Sequence, residues 1–179
     1  MKSVVKMALA AFLLIAGLAR AQPTGFPPVS FEGWTLTHNV TARSAGGECW
    51  VTTEADPGGT KLLYVGGFGG QEFFVIVNPA LDIRAGDRRT VQFQIGDFST
   101  NLDMQFGGAG LLIYIRPDPG PPSFSELLRR SMLGRLERRN ILVTIPNFQP
   151  AQFLSAGAPI SDAYARCVGY ILAERTRGR

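Results

Sequence analysis

From residue 34 onward, apolar and polar positions alternate with period two in one short segment after another. In GWTLTHNV, Trp34, Leu36 and His38 fall on one face and Thr35, Thr37 and Asn39 on the other, the pattern of a half-buried strand. ECWVTTE repeats it, with Cys49 and Val51 opposed to Trp50 and Thr52. KLLYV and QEFFVIV follow, and because both faces of Phe73 to Val77 are apolar, this strand is expected to lie centrally with cover on each side. The clearest alternation is in TVQFQI (Val91, Phe93, Ile95) and LDMQF (Leu102, Met104, Phe106), two arms of a predicted hairpin joined by a GDFSTN loop. LLIYI at 111–115 is a seventh strand and NILVTIP one more.

The texture changes after residue 115. Ser123 is placed to cap a helix that buries Phe124, Leu127, Leu128 and Met132, with Glu126 completing a capping box and Gly134 ending it. A second helix, capped by Ser161 or Asp162, carries Tyr164, Cys167, Val168 and Ile171 at helical spacing. Both helices come late in the chain and do not alternate with strands, which argues against a doubly wound parallel sheet. The expected fold is mainly β within a β-rich α+β class: an antiparallel sandwich or partly closed barrel with two short C-terminal helices. The boundaries are a signal peptide at 1–21, an extended proline-rich tail or first edge at 22–33, one β-rich domain at 34–173 and a basic tail at 174–179.

The start of the chain changes how the charge is read. Lys2 and Lys6 precede an apolar or small run from Met7 to Ala19, followed by Ala19-Arg20-Ala21, the arrangement of a secretory signal cleaved before Gln22. Thirteen residues fall short of the ~20 that a membrane-spanning helix needs. The formal charge is +4, but Lys2, Lys6 and Arg20 leave with the signal and no acid does, so the mature chain has 15 basic and 14 acidic groups, or +1. A nucleic-acid role inferred from the whole-chain basicity would rest on residues that the mature chain lacks. An asymmetry survives. Residues 22–115 hold five basic and nine acidic groups, and 116–179 hold ten and five. In an oxidising compartment, two cysteines favour a Cys49–Cys167 disulfide, with a buried reduced pair as the alternative. The expected location is periplasmic or secreted.

Four glycines in VGGFGG, residues 65–70, raise the question of a phosphate-binding loop. Such a loop needs a helix directly after it and reads GxGxxG or GxxxxGK[ST]. Here Glu72 stands where a third glycine would be, no Lys-Ser or Lys-Thr follows, and the next residues read as a strand. The cluster is therefore expected to be a hairpin connection with Phe68 at its tip, and no cofactor is implied.

The remaining candidate chemistry is sparse. The one histidine, His38, shares a strand face with Trp34 and Leu36, which suits a structural role, although a lone histidine can also act as a general base. Glu54, Asp56, Asp97 and Asp103 fall in turns or on wet strand faces, and no spacing suggests a metal site. Arg129, Arg130, Arg135, Arg138 and Arg139 form the densest charge group. They read either as a solvated face or as a docking patch for an acidic protein, an anionic glycan or a lipid headgroup, arginine being suited to bidentate contact with carboxylate and phosphate.

Gly33-Trp34, Cys49, Pro57-Gly58-Gly59 before KLLYV, Asn78-Pro79 after FFVIV and Cys167 occur in an order that resembles the invasion-associated locus B-like proteins, small exported bacterial proteins. The resemblance implies a periplasmic or secreted β-rich domain without established enzymatic activity, linked in some members to host-cell interaction. Together these readings favour a non-enzymatic binding or accessory module of the cell envelope, with an envelope or host protein or an anionic surface as partner. The alternatives are a small periplasmic hydrolase using His38 or turn carboxylates, and a purely structural envelope protein.

Overall fold

The computed structural model describes residues 26–39, 47–68, 71–82, 86–108, 110–115, 121–132 and 138–177. The signal-peptide segment and Arg135 lie outside them. Ten strands form one antiparallel sheet: β1 (Val29–Phe31), β2 (Trp34–Asn39), β3 (Glu48–Thr53), β4 (Lys61–Phe68), β5 (Gln71–Val77), β6 (Arg88–Ile95), β7 (Phe98–Gly108), β8 (Leu111–Ile115), β9 (Asn140–Thr144) and β10 (Ala151–Leu154). Among the described residues two helices accompany them, α1 (Pro122–Met132) and α2 (Ala158–Arg177). Across the sheet the order is β1-β2-β3-β4-β5-β8-β7-β6-β9-β10, so β5 and β8 join two antiparallel halves.

The sheet does not close through a backbone ladder, yet it curls round a single apolar core. Phe74 on β5 and Phe93 on β6 are three strand positions apart, which on a flat sheet is ~14 Å. Their rings meet edge to face with centroids 5.3 Å apart. The alternating residues that the sequence places on one face are those that meet: Trp34, Leu36, Val51, Val91, Phe93, Ile95, Leu102, Met104 and Phe106 are all buried. On β5 the expectation of cover on both sides also holds, since Phe74, Val75 and Ile76 are buried in succession.

Each helix closes part of one half. α2 packs on β1 to β4, and α1 on β6 and β7. Cys49 on β3 and Cys167 on α2 are joined in a disulfide, with both residues fully buried, so the last helix is stapled to the third strand.

Several local expectations need correcting. Of the segment read as tail or first edge, residues 29–31 form β1 at the edge of the sheet, so the first-edge reading holds for them and the tail reading does not. They are joined to β2 through Glu32 and Gly33, both at positive φ (43° and 82°), the conformation of a two-residue hairpin turn. The predicted six-residue loop between β6 and β7 shrinks to Gly96-Asp97, because Ile95 pairs directly with Phe98 and Gly96 supplies the positive φ. α1 starts at Pro122 and not at a Ser123 cap: the Pro121 carbonyl accepts the N–H groups of Phe124 and Ser125. Pro122 suits the first helical position, having no N–H to leave unpaired. α2 is not short. It starts at Ala158 and runs 20 residues through much of the segment read as a basic tail, because Glu174-Arg175-Thr176-Arg177 contains nothing that breaks a helix. Finally, β10 is a tenth strand where the alternation Ala151-Gln152-Phe153-Leu154 was too short to stand out beside Pro150.

Candidate functional site

The VGGFGG question resolves through pairing. β4 and β5 form an antiparallel hairpin in which Phe68 pairs with Gln71, and β5 begins at Gln71 where a phosphate loop would need a helix. Gly69 and Gly70 and the side chain of Phe68 lie outside the described residues. One glycine here has a packing role. A Cβ on Gly66 would collide with the Tyr164 hydroxyl, so the missing side chain is what admits this tyrosine from α2.

Tyr164 belongs to a part-buried polar chain centred on the buried Tyr64. Its hydroxyl donates to the Tyr64 oxygen at 3.2 Å, and the Tyr64 hydroxyl donates to Glu72 Oε1 at 2.7 Å. Burial raises both phenols: Tyr164 is pushed up to about 12, and Tyr64 rises further, helped by the charge and hydrogen bonds around it. These groups stay protonated at physiological pH, which suits a structural tie between α2 and the sheet. His38 has a comparable place on β2, its ring meeting Tyr170 of α2 edge to face with centroids 5.3 Å apart. Gly47, at φ +86°, leaves the space that the imidazole fills.

The turn carboxylates are engaged separately. Asp103 accepts from Thr90 Oγ1 at 2.6 Å, Asp56 caps its own turn, and Asp97 pairs with Arg130. Among the described residues, no group of three or more His, Cys, Asp or Glu is placed to hold a metal ion.

The arginines come together, but in company. Arg129 and Arg130 both bind Glu126, Arg130 also reaches Asp97 at 2.6 Å, and Arg139 lies 3.5 Å from Asp97. Glu126 is therefore held at about 2, chiefly by the hydrogen bonds from Arg129 and Arg130, and Asp97 is lowered by Arg130. The capping box does not form, because Ser123 lies inside α1, and the Glu126 carboxylate is bound by Arg129 and Arg130 instead. Arg138 is set apart. It pairs with Glu32, donates to Glu32 O at 3.2 Å and Ser155 O at 3.3 Å, and lies over the Phe31 ring, linking the β1–β2 turn to the end of β10. Each of the four arginines thus has an intramolecular carboxylate partner.

Arg138 marks the seam where the two ends of the sheet face each other, and here the structure assembles something that no local pattern announced. An open cleft of about 400 Å³ lies between the β3–β4 turn, the start of the segment after β5, and the β9–β10 connection. One wall is Asp56, Pro57, Gly58 and Thr60. Asp56 Oδ1 accepts the Thr60 N–H at 2.7 Å, and Gly59 takes φ +79° to complete the turn. Asn78, 6 % exposed, ties this wall to the next segment: its Nδ2 donates to Thr60 Oγ1 at 3.0 Å and its Oδ1 accepts the Ala80 N–H at 2.8 Å. The opposite wall is Phe148, Gln149, Pro150 and Gln152. It is shaped by a turn in which the Phe148 N–H donates to Ile145 O at 3.0 Å and Asn147 adopts φ +69°. Pro146 followed by Asn147 is the sequence that such a turn favours.

No family model, curated protein or solved structure matches this chain. What the cleft does must be argued from its own chemistry.

Two properties decide what it can hold. The back wall is already hydrogen-bonded to itself, so it is rigid before any ligand arrives. The Gln149 and Gln152 side chains are exposed and, among the described residues, make no hydrogen bond, so their amides are available to a ligand. Asp56 is the single ionisable group in the lining, which gives the cleft a negative character opposite to that of the arginine ridge. In the sequence, Pro57-Gly58-Gly59 and Asn78-Pro79 stand out only among the residues that carry the family resemblance, and NFQPAQF shows no pattern of its own. Nothing in one sequence says that segments about 90 residues apart share a cleft.

Proposed function

We propose that this chain is an exported, non-enzymatic binding module of the cell envelope, and that the seam cleft is its recognition site. The observation that carries the reading is the cleft's construction: a prebonded polar wall from the β3–β4 turn and the segment after β5, facing untethered amides on the β9–β10 connection and β10 at the end of the same stapled sheet. Rigid scaffolding with a few free polar groups at a concavity is the usual physical basis of recognition.

Export is supported by the signal-like start and by the Cys49–Cys167 bridge, which suits an oxidising compartment. No helix among the described residues is long and apolar enough to cross a membrane. The resemblance to invasion-associated locus B-like proteins points the same way. The arginine ridge supports an acidic partner less directly, because Glu126, Asp97 and Glu32 already occupy its guanidinium groups.

Photo-crosslinking in cells exporting the full chain tests the reading. A photoreactive residue at position 149 should trap a partner that the same residue at position 129 does not. Trapping from 129 alone would move recognition to the ridge.

A further inference from the structure

We propose that the seam cleft takes an extended peptide carrying a basic side chain, added as a strand to the free edge of β10. The proposal rests on the cleft being the recognition site and adds the chemistry of its ligand.

The first observation is which way the β10 backbone points. In an antiparallel pair, successive residues alternately face the partner strand and turn away from it. The Ser155 N–H donates to Arg139 O at 2.8 Å, which fixes the phase. Stepping back by two, Phe153 and Ala151 exchange hydrogen bonds with Ile141 and Val143 of β9, whereas Gln152 and Leu154 turn their N–H and C=O groups outward. The β9 side agrees: Ile95 pairs with Phe98 across a two-residue turn, so Ile95 and Phe93 face β7, while Gln94 and Gln92 face β9 and meet Leu142 and Thr144, leaving Ile141 and Val143 to face β10. One outward group is already used: the Leu154 carbonyl accepts the Trp34 indole N–H at 2.7 Å. Gln152, two residues nearer the cleft, presents both its N–H and its C=O at the terminal strand of the sheet. An incoming strand meets such a pair with its own C=O and N–H.

The second observation is charge. Asp56 is the one ionisable side chain in the lining, and its Oδ1 is engaged by Thr60 while Oδ2 is available. A lysine or arginine side chain on the bound segment complements it. An anionic ligand would meet no cation in the lining. A glycan could use the Gln149 and Gln152 amides, but it has no use for a main-chain donor and acceptor presented as a pair, and that pair favours a peptide. Pro150, immediately before β10, has no N–H and ends the edge, so pairing is short and the Asp56 contact governs selection.

The test uses the full mature chain and three probes. One is a pool of acetylated hexapeptide amides with Lys fixed at the third position and Thr, Val, Ser or Gln elsewhere. The second is the same pool with Glu fixed in place of Lys, and the third is a linear N-acetylglucosamine trimer. Binding is followed by backbone amide shifts. The Lys pool should shift the Gln152 and Thr60 amides, and the Glu pool should bind at least tenfold more weakly. Gln152→Pro removes an N–H that no strand uses, so circular dichroism should be unchanged while affinity for the Lys pool falls at least tenfold. Asp56→Asn should bring the two pools within about twofold of each other. Unchanged peptide affinity in Gln152→Pro would overturn the strand pairing. Cleft shifts with the trimer and none with either peptide pool would overturn the peptide assignment while leaving the cleft as the site. No shift at the cleft with any probe would count against both.

Discussion

The Trp34 indole N–H on β2 donates to the Leu154 carbonyl on β10 at 2.7 Å, across 120 residues of sequence. The two strands are eight positions apart in the sheet, ~38 Å if it were flat. The contact therefore exists only because the sheet curls until its ends face each other. Trp34 is 3 % exposed, so its N–H has no water to fall back on. Trp34→Phe keeps most of the packing and removes the donor, and should cost about 1–2 kcal/mol in urea unfolding, from the lost hydrogen bond and a smaller ring. A loss below ~0.3 kcal/mol would show that the latch contributes nothing to holding the ends together.

The Gly66–Tyr164 fit gives a coupling prediction. Gly66→Ala places a methyl where the Tyr164 hydroxyl lies, and overpacking of this kind costs about 1–3 kcal/mol. Tyr164→Phe removes the offending oxygen together with its hydrogen bond to Tyr64. The double variant should therefore lose less than the sum of the two single losses by about 1 kcal/mol, measured as a double-mutant cycle. Strict additivity would mean that the two residues do not share the space.

The Cys49–Cys167 bridge spans 118 residues. Replacing both cysteines by Ala should lower stability by about 2–5 kcal/mol, since the unfolded chain regains the freedom that the crosslink removes. Because both residues are fully buried, mild reductant without denaturant should leave the mass unchanged, and denaturant with reductant should add 2 Da. Rapid reduction of the native protein would contradict this burial.

Stability should fall at both ends of the pH scale, for different groups. Glu126 is lowered from 4.5 to about 2, so its pairing with Arg129 and Arg130 is complete above about 4.5 and is lost as pH falls towards 2. These groups are at the surface, so high salt should blunt the acid effect. Tyr64 and Tyr164 are raised above their ordinary 10.0, so the fold keeps protons that the unfolded chain gives up, and stability declines as pH rises past 10. Phenolate absorbance of these two tyrosines should appear together with unfolding. Their ionisation in a still-folded protein would contradict the part-buried chain.

The elements were legible wherever a face repeats: Val91-Phe93-Ile95 and Leu102-Met104-Phe106 announce their strands, and Cys167 with Ile171 their helix. The ends were not. β1 and β10 have three and four residues, too few for a period, and their places depend on the curl that brings Trp34 to Leu154. The arginine cluster was visible as charge, but only Glu126 among its carboxylate partners shares an element with the arginines it binds: Asp97 is 33 residues from Arg130, and Glu32 is 106 from Arg138. The cleft was invisible for the same reason. Its walls are two ordinary turns, and only the folded sheet opposes Asp56 to Gln149 and Gln152.

The central claim is that recognition resides in the seam cleft and not on the arginine ridge. A side-by-side capture from envelope extract tests it most directly, using the wild type, Asp56→Asn/Gln149→Ala/Gln152→Ala, and Arg129→Gln/Arg130→Gln/Arg138→Gln, each confirmed to be folded. The expected result is that the cleft variant loses the proteins retained by the wild type and the ridge variant keeps them. Loss in the ridge variant with full retention by the cleft variant would contradict the account.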